Sequence, residues 1–322
     1  MNTSYSVGAS EQTSGAPVRA RSGSNGRHRR RLPSGISQRE QWLFLAVPVG
    51  LFVVFFLIPA LMNLGLAFTN WSVYSPTITF NGFANFERLI ADGTLWRALR
   101  VTLVYAVCVV IFTNFLGLVA ALALEKSVPS NTPLRALIFV PVLMSPLAAG
   151  YVFQGLLSSD GVLNQLLGAV TGTEWTTPWL GSTTWAIVII AAIQAWKTFG
   201  MCALFYIAGL STVPEELKDA ARIDGANFWQ TFWRVRWPLM APAATINVSL
   251  TLIAGLGTAD YVLATTAGGP AGSTQVLNML VFLQFGNGAF GQASSMTLVL
   301  FVIVLLIAVP LIIGMRRREM EG

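Results

Sequence analysis

The sequence predicts an all-α membrane protein with six transmembrane helices and both termini in the cytoplasm. Three observations carry this prediction. Hydrophobic residues make up 54% of the 322 positions and charged residues only 11%, against about 25% charged in soluble domains. Six apolar runs each reach the roughly 20 residues a helix needs to cross the hydrocarbon core. Sixteen of the twenty Lys and Arg then fall on one side of the topology, the side that the positive-inside rule assigns to the cytoplasm.

Residues 1–41 read as a disordered Arg/Ser/Gly-rich cytoplasmic leader. Its seven basic residues are Arg19, Arg21, Arg27, Arg29, Arg30, Arg31 and Arg39. Such a leader fixes topology and touches anionic lipid; no nucleic-acid partner is expected for "RHRRR". The first span is Trp42–Phe68. It is too long for a signal h-region, and no small-residue cleavage site follows. The first outer connection, 69–100, holds Arg88, Arg97 and Arg100. Span two is Val101–Leu124, and the inner connection after it carries Lys126 and Arg135. Spans three and four are Ala136–Leu157 and Trp185–Leu210. The inner connection 211–240 brings Lys218, Arg222, Arg234 and Arg236. Spans five and six are Ala241–Ala264 and Met296–Met315, followed by Arg316, Arg317, Arg318 and a short tail, 319–322. Most runs lack a polar face of 3.6 period, which a soluble helical core would need.

Several chemistries are missing. His28, in the leader, is the sole histidine, so neither a Ser-His-Asp site nor a His-based metal site can form within the spans. No catalytic residue and no metal ligand is predicted. None of Lys126, Lys197 and Lys218 follows a glycine-rich P-loop, so the chain itself does not cradle ATP phosphates that way. Cys108 and Cys202 read as packing thiols, and Gly255 and Gly257 as a packing feature within a span.

Ionisable residues inside spans are costly and point to function. Lys197 and Asp260 are the two here. Lys197 lies about 18 Å below the outer end of its span and Asp260 about 6 Å below its own. A gap of roughly 12 Å argues against direct pairing. Lys197 either points into a water-filled cavity, or snorkels or binds a backbone carbonyl.

The inner connection 211–240 is far longer than a plain link of about two to eight residues. Thr212-Val213-Pro214-Glu215 fits a capping box, which predicts a short helix from Val213 to Asp224 ended by Gly225. A second helix from Asn227 sets Trp229, Trp233 and Trp237 at i, i+4 and i+8. Arg234 and Arg236 beside them suit lipid headgroups. The segment reads as a docking element; a solvated amphipathic loop is the alternative.

Within it, Asp219-Ala220-Ala221-Arg222-Ile223-Asp224-Gly225, nine further residues and Val235-Arg236-Trp237-Pro238 resemble the EAA loop of ABC importer permeases. That pattern reads Glu-Ala-Ala, three residues, Gly, nine residues, Ile-x-Leu-Pro. The spacing matches fully; Asp219, Val235 and Trp237 depart from it. "NGFANFERLIADGTLWRALRVTLVYAV" (81–107), "AGGPAGST" (267–274) and "TNW" (69–71) resemble carbohydrate-uptake permeases of the maltose and glycerol-3-phosphate type. The resemblance covers roughly 42–318, the permease domain, and implies the type I importer fold in a bacterial inner membrane. It further implies that Asp219, Ala220, Ala221, Arg222, Asp224 and Gly225 couple the chain to an ATPase.

The implied partners are a second homologous permease, two copies of a cytoplasmic P-loop ATPase, an extracytoplasmic solute-binding protein and the lipid bilayer. ATP and Mg would sit on the ATPase, with no cofactor on this chain. Aligned on the maltose permease, Pro146, Gln194, Lys197, Thr198, Thr251 and Gly255 are implied to line the substrate pathway. Gln194 and Thr198, and likewise Thr251 and Gly255, are spaced i, i+4 and so share a helix face. Asn114 and Asn247 are further polar positions, read as interhelical hydrogen-bonding residues. The implied solute is a sugar or oligosaccharide. Lys197 motivates an alternative, an anionic polyol such as glycerol 3-phosphate. An ion-coupled secondary carrier would need coupling-ion groups and inverted repeats, neither of which is evident.

Overall fold

The computed structural model describes residues 38–125 and 131–321; the leader through residue 37 and Lys126 lie outside them. The described residues are all-helical apart from turns and one isolated bridge between Thr69 and Phe80. They fall into two units, divided between Phe56 and Leu57. The first holds α1 (Gln38–Phe52) and the start of a π-helical turn at Val53–Leu57. Phe52 and Phe56 stack there at 5.0 Å.

The second unit runs through α2 (Ile58–Leu66), α3 (Ala84–Ala91), α4 (Thr94–Leu124), α5 (Asn131–Phe139), α6 (Pro146–Leu156) and α7 (Val162–Thr171). It continues with α8 (Ala186–Ser211), α9 (Glu215–Ile223), α10 (Phe228–Thr231), α11 (Trp237–Leu239) and α12 (Ala241–Leu256). The last elements are α13 (Asp260–Thr265), α14 (Leu277–Gly286) and α15 (Phe290–Glu321).

Among the described residues, four helices are long and apolar enough to cross a membrane: Trp42–Leu66, Thr94–Leu124, Ala186–Ser211 and Phe290–Arg317. Two bent pairs, Pro133–Leu143 with Pro146–Leu156 and Phe228–Leu239 with Ala241–Leu256, bring the number to six if each is one span. Many apolar side chains on these helices stay exposed, as a lipid-facing surface requires.

The sequence prediction needs three corrections. Span three is not straight: its halves meet at 95°. Pro146 drives Ser145 into an extended conformation (φ −69°, ψ 151°), because the residue before proline is disfavoured as helix. Span five ends at Leu256 instead of Ala264, and Asp260 opens the separate helix α13. Spans two and six begin earlier than their apolar runs, at Thr94 and Phe290. Ala98, in the extra turns of span two, packs with Leu89, Leu277, Leu280, Val281 and Met296, the residue at which the apolar run of span six begins.

Helix α4 lies at the centre, against α8 on one side and α12 on another. Glycines allow these approaches. A Cβ on Gly255 would sit 2.9 Å from Ala106 Cα of α4, and one on Gly117 would sit 2.7 Å from Cys202 Sγ of α8. Small residues at such contacts let transmembrane backbones come close.

Candidate functional site

The predicted docking segment is a short helix exposed on most sides. In α9 only Ala221 is buried, while Asp219, Ala220, Arg222 and Ile223 face outward. Arg222 pairs with Asp219 at 2.8 Å. The predicted C-terminus is present. Gly225 takes the left-handed conformation (φ +77°). Ala226 N donates to Ala221 O at 2.9 Å and Gly225 N to Arg222 O at 3.0 Å. These two bonds are the Schellman pattern that satisfies the last helical carbonyls.

The predicted N-terminal capping box is absent. Thr212 Oγ1 instead donates to Gly209 O at 2.8 Å, so it belongs to the end of α8, and Pro214 stands at the N-cap of α9 without a side-chain bond. The capping box occurs at the second helix. Asn227 Oδ1 accepts from Gln230 N, and Gln230 Oε1 accepts from Asn227 N, both at 2.9 Å. A π-helical turn at Phe232–Arg236 follows. Its extra residue per turn changes the facing of Arg236. Arg234 stays exposed, but Arg236 turns inward and is buried, contrary to the headgroup position predicted for it.

Arg236 meets a residue that sequence reasoning did not single out. Glu125 directly follows α4. Its Oε2 accepts from Arg236 Nη2, and its Oε1 lies 3.5 Å from Lys218 Nζ. Lys218 also donates to Glu215 at 2.9 Å. The side chains of Arg236, Lys218 and Glu125 are 8%, 14% and 23% exposed, so this cluster is largely withdrawn from water. A cleft of about 970 Å³ borders it, lined by Leu122, Glu125, Leu210, Glu215, Lys218 and Arg236 among others. An acid at the end of an apolar run was the available signal, but its partners lie 93 and 111 residues away.

The Lys218 ammonium, donating to the Glu215 carboxylate, holds that carboxyl below the ordinary glutamate range. A lowered folded-state pKa stabilises above the unfolded value and is lost as pH falls through the folded one. Carboxyl NMR titration is therefore expected to give Glu215 a lower midpoint in the parent than in Lys218→Met. Equal midpoints would contradict the pairing.

The six residues expected along the pathway occupy two bonded layers and a bend. In one layer, Gln194 Oε1 accepts from Tyr105 Oη at 2.6 Å and Thr258 Oγ1 at 3.2 Å. Thr198 Oγ1 donates to Gln194 O at 2.8 Å. In the other, Thr251 Oγ1 accepts from Asn114 Nδ2 at 3.0 Å and donates to Asn247 O at 2.7 Å. Asn114 Oδ1 accepts from Tyr206 Oη at 2.8 Å, and Asn247 Nδ2 donates to Cys202 O at 3.1 Å. Gly255 faces Ala106. Gln194, Thr251 and Gly255 thus join α4, α8 and α12 within the chain, as Asn114 and Asn247 also do.

Asn114→Leu removes two of these bonds. Interhelical hydrogen bonds in membranes average about 0.6 kcal/mol, so thermal unfolding in detergent is expected to show about 1 kcal/mol of destabilisation. An unchanged melting profile would contradict the bonding scheme.

At the bend, Pro146 opens α6, and Lys197 Nζ lies 3.4 Å from Val142 O. That carbonyl belongs to the last turn before the break, where helical carbonyls lack intrahelical partners. Lys197 is buried and therefore acts as a side-chain cap for the broken third span, the backbone-carbonyl alternative of the two.

Comparison with known proteins shows the family. Residues 113–318 match the family described as binding-protein-dependent transport system inner membrane component. The chain belongs to this family. The permease is 32% identical to the multiple sugar-binding transport system permease MsmF of Streptococcus mutans, over 83% of this chain and 92% of the relative. It is 30% identical to the sn-glycerol-3-phosphate transport system permease UgpA of Agrobacterium fabrum, over 82% and 90%. It also shares its fold with a solved bacterial alginate ABC transporter in complex with an alginate pentasaccharide-bound periplasmic protein. The TM-score is 0.72 at 20% identity, covering 85% of this chain and 93% of that one. The protein is therefore a permease component of an ABC importer of the carbohydrate-uptake type, placed in the inner membrane and not itself an enzyme.

Proposed function

We propose that this permease forms half of the translocation pathway for a sugar or oligosaccharide delivered by an extracytoplasmic binding protein. The other half is a second homologous permease. Two copies of a cytoplasmic P-loop ATPase, which bind the ATP and Mg, drive the cycle. Six spans cross the bilayer with both termini cytoplasmic, an orientation supported by the Lys and Arg distribution. Residues 211–240 are the coupling loop within a 42–318 permease domain. Asp219, Ala220, Ala221, Arg222, Asp224 and Gly225 form its contact with the ATPase. Closure of the ATPase dimer displaces this helix as a rigid body and rocks the spans between inward-open and outward-open states.

The observation that carries this reading is the capped, outward-facing α9, ended by Gly225 at φ +77°. Pro146, Thr198 and Thr251 are partly exposed and are assigned to the pathway surface. Gln194, Lys197 and Gly255 set the packing beneath it. In proteoliposomes carrying the whole complex, with ATP inside and binding protein outside, sugar uptake is expected to need ATP, the ATPase and the binding protein together. Uptake driven by an ion gradient without the ATPase would instead support a secondary carrier.

The anionic alternative, a polyol phosphate, has Lys197 as its motive. The Val142 carbonyl contact gives that ammonium a partner inside the protein, which favours the neutral saccharide. Lys197→Met is expected to reduce uptake of neutral and phosphorylated solutes alike. Selective loss of phosphorylated solute would transfer the assignment to the anion.

A further inference from the structure

Helix α9 is joined by chain only to α8 and, through α10 and α11, to α12. Its packing is thin, with Ala221 as its one buried residue. A helix held so lightly transmits displacement poorly unless something else ties it down. The described contacts include such a tie, and it leads to α4, which is not continuous with the loop. The two limbs of the loop converge on one carboxylate. Lys218, from the outgoing limb, approaches Glu125 Oε1, and Arg236, from the returning limb, donates to Oε2. Arg135 fixes the same terminus from a third segment, its Nη2 donating to Leu124 O at 2.6 Å.

We infer that Glu125 is a positioning residue for energy coupling, clamping both limbs of the coupling loop so that the loop's movement is delivered to α4. From α4 the movement reaches the other spans through Tyr105 to Gln194 on α8 and Asn114 to Thr251 on α12. The inference rests on the importer reading above and deepens it. The clamp depends on charge, since both donors are cations and both are mostly buried. An uncharged isostere keeps the shape of Glu125 but leaves Arg236 without its counter-charge and Lys218 with only the exposed Glu215.

The test uses the complete transporter in proteoliposomes and reads solute moved per ATP hydrolysed. For Glu125→Gln, the complex is expected to assemble and hydrolyse ATP while that ratio falls about tenfold, within the range of coupling free energies between sites. Glu125→Asp is expected to retain most of the ratio. Glu125→Arg combined with Arg236→Glu is expected to restore part of what each single change loses, because the Arg236 limb is re-formed with its signs exchanged while Lys218 then faces a like charge.

A Glu125→Gln complex that transports with the parental ratio overturns the clamp. A double variant no better than its singles overturns it as well. Should Glu125→Gln fail to assemble, the exchanged pair must recover assembly and part of the ratio. Recovery of neither by the exchanged pair or by Glu125→Asp reduces Glu125 to a folding role and ends the proposal. Failure of the importer reading is distinguishable, because the parental complex would then move no solute with ATP and binding protein.

Discussion

Replacing Gly225 with valine is expected to weaken association with the ATPase about tenfold or more while leaving the spans folded. Gly225 stands at φ +77°, and left-handed backbone costs a residue with a side chain about 1–2 kcal/mol, more when it is β-branched. The space beside it is open; a Cβ there meets nothing within 4 Å. The penalty is therefore one of backbone conformation and falls on the Schellman turn that ends α9. About 1.4 kcal/mol is tenfold in an equilibrium constant, so co-purified ATPase is expected to drop by about tenfold or more. Gly225→Ala should lie between, and Gly225→Asn should come closest to the parent, because asparagine tolerates the left-handed region. Quantifying the ATPase retained on an affinity-tagged permease checks the order; valine retaining as much as glycine would refute it.

Gly200→Ala is expected to be among the most damaging single methyls in the spans. A Cβ on Gly200 would lie 2.3 Å from Ile138 O and 3.1 Å from Ile138 C. The obstacle is backbone, which cannot rotate away as a side chain can, so α8 and the inner half of span three must separate. Overpacking of this kind costs about 1–3 kcal/mol. The movement would also pull Val142 O away from Lys197. Thermal unfolding of the detergent-solubilised complex should show the loss. Gly155→Ala is the control, since its Cβ meets nothing within 4 Å and alanine is the better helix former. Equal melting of the two variants would contradict the close approach of α8 to span three.

What the sequence made legible was local. The inner ends of α4 and α8 follow from their apolar runs, and the end of α9 follows from a glycine whose backbone needs are set by its own turn. The 95° bend of span three was not read, because a hydropathy window weighs composition and not direction, although Pro141 and Pro146 marked the place. The α9 cap was misassigned because Thr212 had a competing acceptor, Gly209 O, in the preceding helix. Long-range pairs were least accessible. The side-chain oxygen of Gln194 is engaged by Tyr105, 89 positions earlier in the chain, a partner that its spacing to Thr198 does not announce. Glu125 drew no attention because its significance depends on a π-helical turn that swings Arg236 inward. A polar residue in a span can serve a solute or a neighbouring helix, and only the helix register separates the two.

The most direct test of the coupling account is photo-crosslinking from position 223 at the exposed tip of α9, where Ile223 is 87% exposed. With a photoreactive residue there and the complex turning over in membranes, the account predicts an adduct with the P-loop ATPase whose yield differs between nucleotide-free and ATP-bound states. A transporting complex that forms no such adduct in either state would contradict it.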